Sequence, residues 1–158
     1  MKAGTFVVLR SEQGAGKDIF LEFFGKRVLG SGVYFQTCKI DDVLGRWNDN
    51  CEAKRLIALS EIAMPCDKWH STMDKFKSLA TDPTVSIERK NQEPRIVRDF
   101  SAYVVCSNSD SPLRIEKSDR RTMCLEVSNE KIGDLATSHR STHSLRSIPI
   151  HPPPLWRT

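Results

Sequence analysis

The segment Ser11-Glu12-Gln13-Gly14-Ala15-Gly16-Lys17-Asp18 constrains this chain more than any other, because of what stands on either side of it. Before it, Thr5 to Leu9 is a short β-branched and aromatic run suited to a buried strand. After it, Phe20, Phe23, Phe24 and Val28 recur at three- and four-residue steps, which predicts a helix over Lys17 to Leu29. A strand that passes through a glycine-punctuated turn straight into a helix is the opening unit of an α/β fold.

The chain repeats that grammar further on. Leu56 to Leu59 is a continuous apolar run, consistent with a central parallel strand covered on both faces. Cys66 to Ala80 carries Trp69, Met73, Phe76 and Leu79 at helical spacing. Thr84 to Ile87 and Arg95 to Val97 flank the turn-rich segment Glu88 to Pro94, which predicts a hairpin. Tyr103 to Cys106 and Thr122 to Val127 are two further strands. The expected fold class is therefore α/β, a parallel-sheet core with flanking helices and a β-hairpin insertion.

Composition changes once, near residue 135. From Thr137 to Thr158 there is no Asp or Glu, and the run Pro152-Pro153-Pro154 interrupts a Ser- and His-rich stretch without helical or strand period. The expected organisation is one domain over 1–134 and a disordered tail over 135–158. The formal net charge of +4 does not identify a partner. All acids precede residue 135 and three of the arginines follow it, so the expected domain is close to neutral.

Several classes are excluded. No apolar run approaches the length of a signal-peptide core or a membrane span, so no membrane association and an intracellular, non-secreted chain are expected. Cys38, Cys51, Cys66, Cys106 and Cys124 form no C-x-x-C pair and their number is odd, so they are expected to be free thiols, mostly core filler. His139 and His143 stand four apart but lack an accompanying Glu in a Ser/Thr-rich stretch, a surface pattern rather than a zinc site.

The chemistry begins at the glycine turn. A loop of this type curls its backbone N–H groups around phosphate oxygens, and a lysine at the start of the helix reaches the β- and γ-phosphates. Against G-x-x-x-x-G-K-[ST], Gly16 and Lys17 fit, while Ser11 replaces the first glycine and Asp18 the hydroxyl residue. The strand Leu56–Leu59 ends in Ser60-Glu61, where an acid can hold Mg²⁺ or orient an attacking water. Tyr103 to Cys106 ends in Ser107-Asn108, and an amide there can bond both water and a phosphate oxygen. Arg120 and Arg121 offer guanidinium groups for neutralising phosphate charge.

Together these residues resemble the helicase domain of superfamily 3, in the branch found in phage and viral primase-helicases and primase-polymerases. Ser11 to Asp18 resembles its motif A and Leu56 to Glu61 its motif B. Lys75 to Leu79 with Ile87 to Lys90 resembles the motif between B and C, and Tyr103 to Asn108 resembles motif C. The compact order of these motifs from Gly14 to Asn108 is itself a mark of the superfamily.

The resemblance implies a P-loop NTPase that binds ATP and Mg²⁺. Gly14, Ala15, Gly16, Lys17 and Asp18 would form the nucleotide loop, and Asp18, Ser60 and Glu61 the metal shell. Glu61 would polarise water, Asn108 would sense the γ-phosphate, and Arg120 or Arg121 would reach a neighbouring subunit. The resemblance further implies a homo-oligomeric ring around single-stranded DNA, touched by Lys75, Lys77, Arg89 and Lys90.

Two departures carry expectations of their own. Asp18 stands where a hydroxyl is usual and Ser60 where an acid is usual, which reads as a reciprocal exchange keeping one carboxylate and one hydroxyl at the metal. The chain also lacks the regions that commonly flank this domain in the family, so a partial domain is expected. The alternative function is accordingly a fragment that binds nucleotide or nucleic acid without turnover.

Overall fold

The computed structural model describes residues 2, 4–60, 66–108 and 119–129, with the backbone alone over 66–70. The Glu61 expectation, the tail over 135–158 and all four histidine side chains lie outside the described residues. The elements in chain order are β1 (Phe6–Arg10), α1 (Lys17–Phe23), β2 (Tyr34–Thr37), α2 (Asp41–Leu44), β3 (Leu56–Leu59), α3 (Cys66–Thr81), β4 (Thr84–Ile87), β5 (Arg95–Arg98), β6 (Ala102–Ser107) and β7 (Thr122–Glu126). Five strands form one sheet in the order β2-β3-β6-β1-β7, and every pairing in it is parallel. β4 and β5 form a separate antiparallel hairpin. The expected mixed α/β architecture with a parallel sheet, flanking helices and a hairpin is observed.

Two-residue alternation divides the core between the faces of the sheet. Phe6, Val8, Ile57, Leu59, Tyr103 and Val105 point to one face and pack with Met73, Phe76 and Ala80 of α3 and Ile87 of the hairpin. Leu9, Leu56, Ala58, Val104 and Cys106 point to the other, with Leu21 of α1 and Tyr34 of β2. The rings of Phe6 and Phe76 lie 6.0 Å apart, both fully buried, each contributing about 1.5–3 kcal/mol of burial. Covering both faces explains why β3 and β6 are continuous apolar runs rather than alternating ones.

The first helix covers the expected span in two parts. α1 ends at Phe23, and Phe24–Gly30 continues it as a π-helical segment. The aromatic stripe does not face the core: Phe20 is 59% exposed and Val28 58%, whereas Leu21 is 3% exposed. Leu21 and Gly25, one turn apart, are the positions turned to the sheet. A Cβ on Gly25 would fall inside the ring of Tyr34, so the helix can approach β2 only because this position has no side chain. β2 itself is too short and too polar to have been expected from the sequence.

The hairpin is fastened at its tip. Asn48 is buried, and its side-chain amide bonds the strand backbone twice, donating to Ser86 O at 2.9 Å and accepting from Glu88 N at 3.0 Å. Glu52 pairs with both Arg89 and Arg95, at 2.7 and 2.6 Å. At the hairpin's base the buried Asp99 pairs with Lys2 Nζ at 2.6 Å. It also accepts bonds from the Ser101 N–H and the Tyr103 hydroxyl, each at 2.8 Å. Burial opposes the charge of Asp99, but these donors outweigh it and hold its carboxyl below the usual range.

Candidate functional site

Because all five strands run the same way, their carboxyl ends share one rim. Arg10 is level with Ser107, and Leu59 with Val105 and Thr37. The segments leaving β1, β2, β3 and β6 at Ser11, Cys38, Ser60 and Asn108 therefore emerge at the same edge, where open parallel sheets bind ligands.

The loop after β1 closes around its own lysine. Gly14 and Gly16 take φ of 88° and 82°, the left-handed region that glycine enters without a Cβ penalty. Gly16 O then accepts the Phe20 N–H at 3.0 Å, starting α1. Lys17 is only 6% exposed. Its ammonium donates to Ser11 O and Glu12 O, each at 3.2 Å, and to the Ser11 hydroxyl. Three N–H donors thus meet three loop oxygens. On the outer side, the Glu12 N–H donates to Asn129 Oδ1 at 3.2 Å.

Beside the lysine, Ser60 Oγ donates to Asp18 Oδ1 at 2.5 Å. Gln36 completes the group: its Nε2 donates to Ser60 Oγ at 2.6 Å and to Asp18 Oδ1 at 3.2 Å. Gln36 Oε1 in turn accepts from the Tyr34 hydroxyl at 2.7 Å. Period-two geometry explains the meeting, since Tyr34 and Gln36 on β2 lie level with Leu56 and Ala58 on β3, and Ser60 follows two residues on. Burial, with Glu22 and Asp18 nearby, pushes the Tyr34 phenol up to about 12, so it remains a donor. Burial, reinforced by Asp18, pushes the Cys106 thiol up to about 12 as well.

The donors at this rim are hard oxygens, a carboxylate and a hydroxyl in contact. That set suits Mg²⁺, which keeps several waters and takes one or two protein oxygens plus substrate phosphates. No group of three or more His, Cys, Asp or Glu able to hold a metal occurs among the described residues.

The other candidate residues are distributed unevenly. Asn108 directly follows β6 at the loop rim, where Ser107 O accepts the Ser11 N–H at 3.4 Å. Arg120 and Arg121 precede β7, beside Phe6, whose N–H donates to Arg121 O at 2.9 Å. At 3.2–3.4 Å per residue they lie about 20 Å from the start of the loop, on the opposite rim. Asp119 fixes this corner, accepting from the Arg121 N–H at 2.9 Å and pairing with Lys77 at 2.8 Å. The Lys77 bond is the main reason the Asp119 carboxyl sits below its ordinary value, and the same bond raises Lys77. Lys75 and Lys90 are exposed, whereas Lys77 and Arg89 are held in ion pairs. Lys75 lines a groove of about 500 Å³ with Arg46, Asn48 and Glu88.

Two of the five cysteines, Cys51 and Cys106, are buried, and Cys38 and Cys124 are exposed; the Cys66 side chain lies outside the described residues. Core filling is thus not their common role. Gln36, Tyr34 and Gly25 were not among the candidates. The one local signal for Gln36 is an amide near the end of a short strand.

Comparison with known proteins follows the same outline. The family described as "Family of unknown function (DUF5906)" matches residues 9–121. A DNA primase-polymerase of Nitratiruptor phage NrS-1 is 26% identical over 134 residues, covering 81% of this chain and 18% of that protein. A structure of the NrS-1 C-terminal region in its apo form superposes with a TM-score of 0.70 at 20% identity, covering 95% of this chain and 38% of that one. A second apo form gives 0.72 at 21% identity, covering 91% and 33%. These likenesses establish a shared fold, and the chain spans well under half the length of each relative. Among the described residues no helix is long and apolar enough to cross a membrane.

Proposed function

The chain belongs to the DUF5906 family, and on that footing we propose that it is the ATP-binding and ATP-hydrolysing module of a superfamily 3-like DNA helicase acting in replication. The observation that carries this reading is the buried Lys17 inside a glycine loop, with the Asp18–Ser60 pair against it at the carboxyl rim of a parallel sheet. The similarity to a phage primase-polymerase supports the link to replication.

In this reading Lys17 exchanges its Ser11 and Glu12 acceptors for β- and γ-phosphate oxygens, while the loop N–H groups bind the remainder. Asp18 and Ser60 would hold Mg²⁺, which neutralises charge on the phosphates. Glu61, one residue beyond Ser60, takes the proton of the attacking water, and Asn108 orients that water and the γ-phosphate. Arg120 or Arg121, on the far rim of its own subunit, serves a neighbour's nucleotide in a ring. Lys75 and Lys90 contact the phosphates of single-stranded DNA, and Lys77 and Arg89 brace the elements that present them.

Binding of a fluorescent ATP analogue and phosphate release, with and without single-stranded DNA, test the proposal. Lys17→Ala should weaken binding by about tenfold or more, the loss of charge-assisted bonds to phosphate. Glu61→Gln should keep binding and lower turnover about 10²-fold or more. Binding of ATP or of single-stranded DNA without turnover in the unaltered chain would favour the non-catalytic alternative, and absence of ATP binding would overturn the ATPase reading.

A further inference from the structure

We propose that Gln36 is a positioning residue that pre-assembles the Asp18 carboxylate and the Ser60 hydroxyl as a joint acceptor for a divalent cation. The inference rests on the nucleotide-binding reading above and adds to it a residue from β2 that neither flanking motif contains.

Donors and acceptors are matched one to one at this site. A serine hydroxyl has one proton and two lone pairs, and a carboxylate only accepts. Ser60 gives its proton to Asp18 Oδ1. Gln36 Nε2 has two protons and gives one to Ser60 Oγ and the other to Asp18 Oδ1. The three side chains therefore form a closed ring in which every donor has an acceptor. None of these bonds uses Asp18 Oδ2 or the second lone pair of Ser60, the two positions left for a cation.

The orientation of the amide is itself set. Tyr34 donates to Gln36 Oε1, which turns Nε2 toward Asp18. The reversed amide would place its oxygen against the carboxylate. Tyr34 cannot withdraw, because its buried ring rests on Gly25. A chain of contacts thus runs from the π-helical segment through Tyr34 and Gln36 to the pair at the loop. Groups that orient metal ligands in this way typically carry 10–100-fold in metal affinity.

The test is the Mg²⁺ dependence of ATP binding by the whole chain, read with a fluorescent ATP analogue over a Mg²⁺ titration and again in EDTA. Gln36→Leu and Gln36→Met, the second closer to the parent in shape, both remove the two donors without adding charge. Both should raise the half-saturating Mg²⁺ concentration about tenfold or more, with affinity in EDTA within about twofold of the parent. Tyr34→Phe, which deletes only the orienting hydroxyl, should move the midpoint in the same direction by a smaller factor. It keeps the inference testable if the Gln36 variants fail to fold. An unchanged Mg²⁺ midpoint in the folded variants, with normal binding by the parent chain, would overturn the role of Gln36 and leave the nucleotide reading intact. Failure of the parent chain to bind ATP would overturn both.

Discussion

Ser60 and Asp18, 42 residues apart in the chain, share a hydrogen bond of 2.5 Å between hydroxyl and carboxylate. Asp18, which stands where a phosphate loop usually has a hydroxyl, and Ser60, which stands where the second motif usually has an acid, are therefore in direct contact. A substitution at either one is felt by the other.

That contact makes the exchange testable as a thermodynamic cycle. Asp18→Ser alone leaves two hydroxyls, and Ser60→Asp alone sets two carboxylates against each other. The double variant restores one of each in swapped positions. We expect each single change to weaken both urea stability and Mg²⁺-dependent ATP binding, and the double variant to recover part of the loss. The expected coupling is about 0.5–3 kcal/mol. Simple addition of the two losses would mean the positions act independently.

Gly25 supplies a prediction whose sign is informative. In an exposed helix, replacing glycine by alanine stabilises by about 1 kcal/mol. Here the added methyl would meet the Tyr34 ring, and overpacking of this kind costs about 1–3 kcal/mol. Gly25→Ala should therefore lower the urea midpoint and alter the near-ultraviolet tyrosine signal. A rise in stability would show that the helix does not press on β2 at this point.

Asp99 should govern part of the acid response. Its carboxyl lies below the ordinary range in the folded chain, so near pH 4 the unfolded chain binds more protons. The stabilisation is full above the unfolded value of ~3.9 and is lost as pH falls through the lowered native value. Asp99→Asn should destabilise the chain by about 1–3 kcal/mol at pH 7 and flatten the dependence of stability on pH below 4. Urea unfolding at pH 7, 4 and 3 measures both, and parallel curves for the two proteins would contradict this account.

The thiols should divide by environment. Burial pushes Cys51 and Cys106 up to about 12, and Cys38 and Cys124 are exposed. At pH 8, iodoacetamide should alkylate Cys38 and Cys124 in the native chain and leave Cys51 and Cys106 untouched until denaturant is added. Peptide mass mapping reads the pattern directly, and rapid native labelling of Cys106 would place the β6 end in solvent.

Much of the fold was legible because the central strands are short apolar runs that only a sheet covered on both faces can use. Leu56–Leu59 and the two hairpin strands needed no tertiary information. The aromatic stripe of the first helix marks the helix without marking its buried side, because period identifies the faces of a helix, not which one is buried. Gly25 and Tyr34 decide that, and they meet only once β2 has docked. Gln36 was illegible for a related reason. Its partners follow from the register of β2 on β3, a long-range quantity that local pattern does not encode. Likewise the charges of Lys77 and Arg89 looked available in the sequence, and only the fold sets Asp119 and Glu52 beside them.

Asn48 has a consequence for the company the chain keeps. A two-stranded ribbon ordinarily leaves open backbone edges that can recruit a foreign strand. The outward Ser86 carbonyl on β4 and the Glu88 N–H just past its end are already claimed by the Asn48 amide. A single side chain here does the work of a third strand, too short to be extended and unable to template another. Asn48→Ala would reopen that edge, and its signature would be not a lost activity but a chain that sticks to copies of itself.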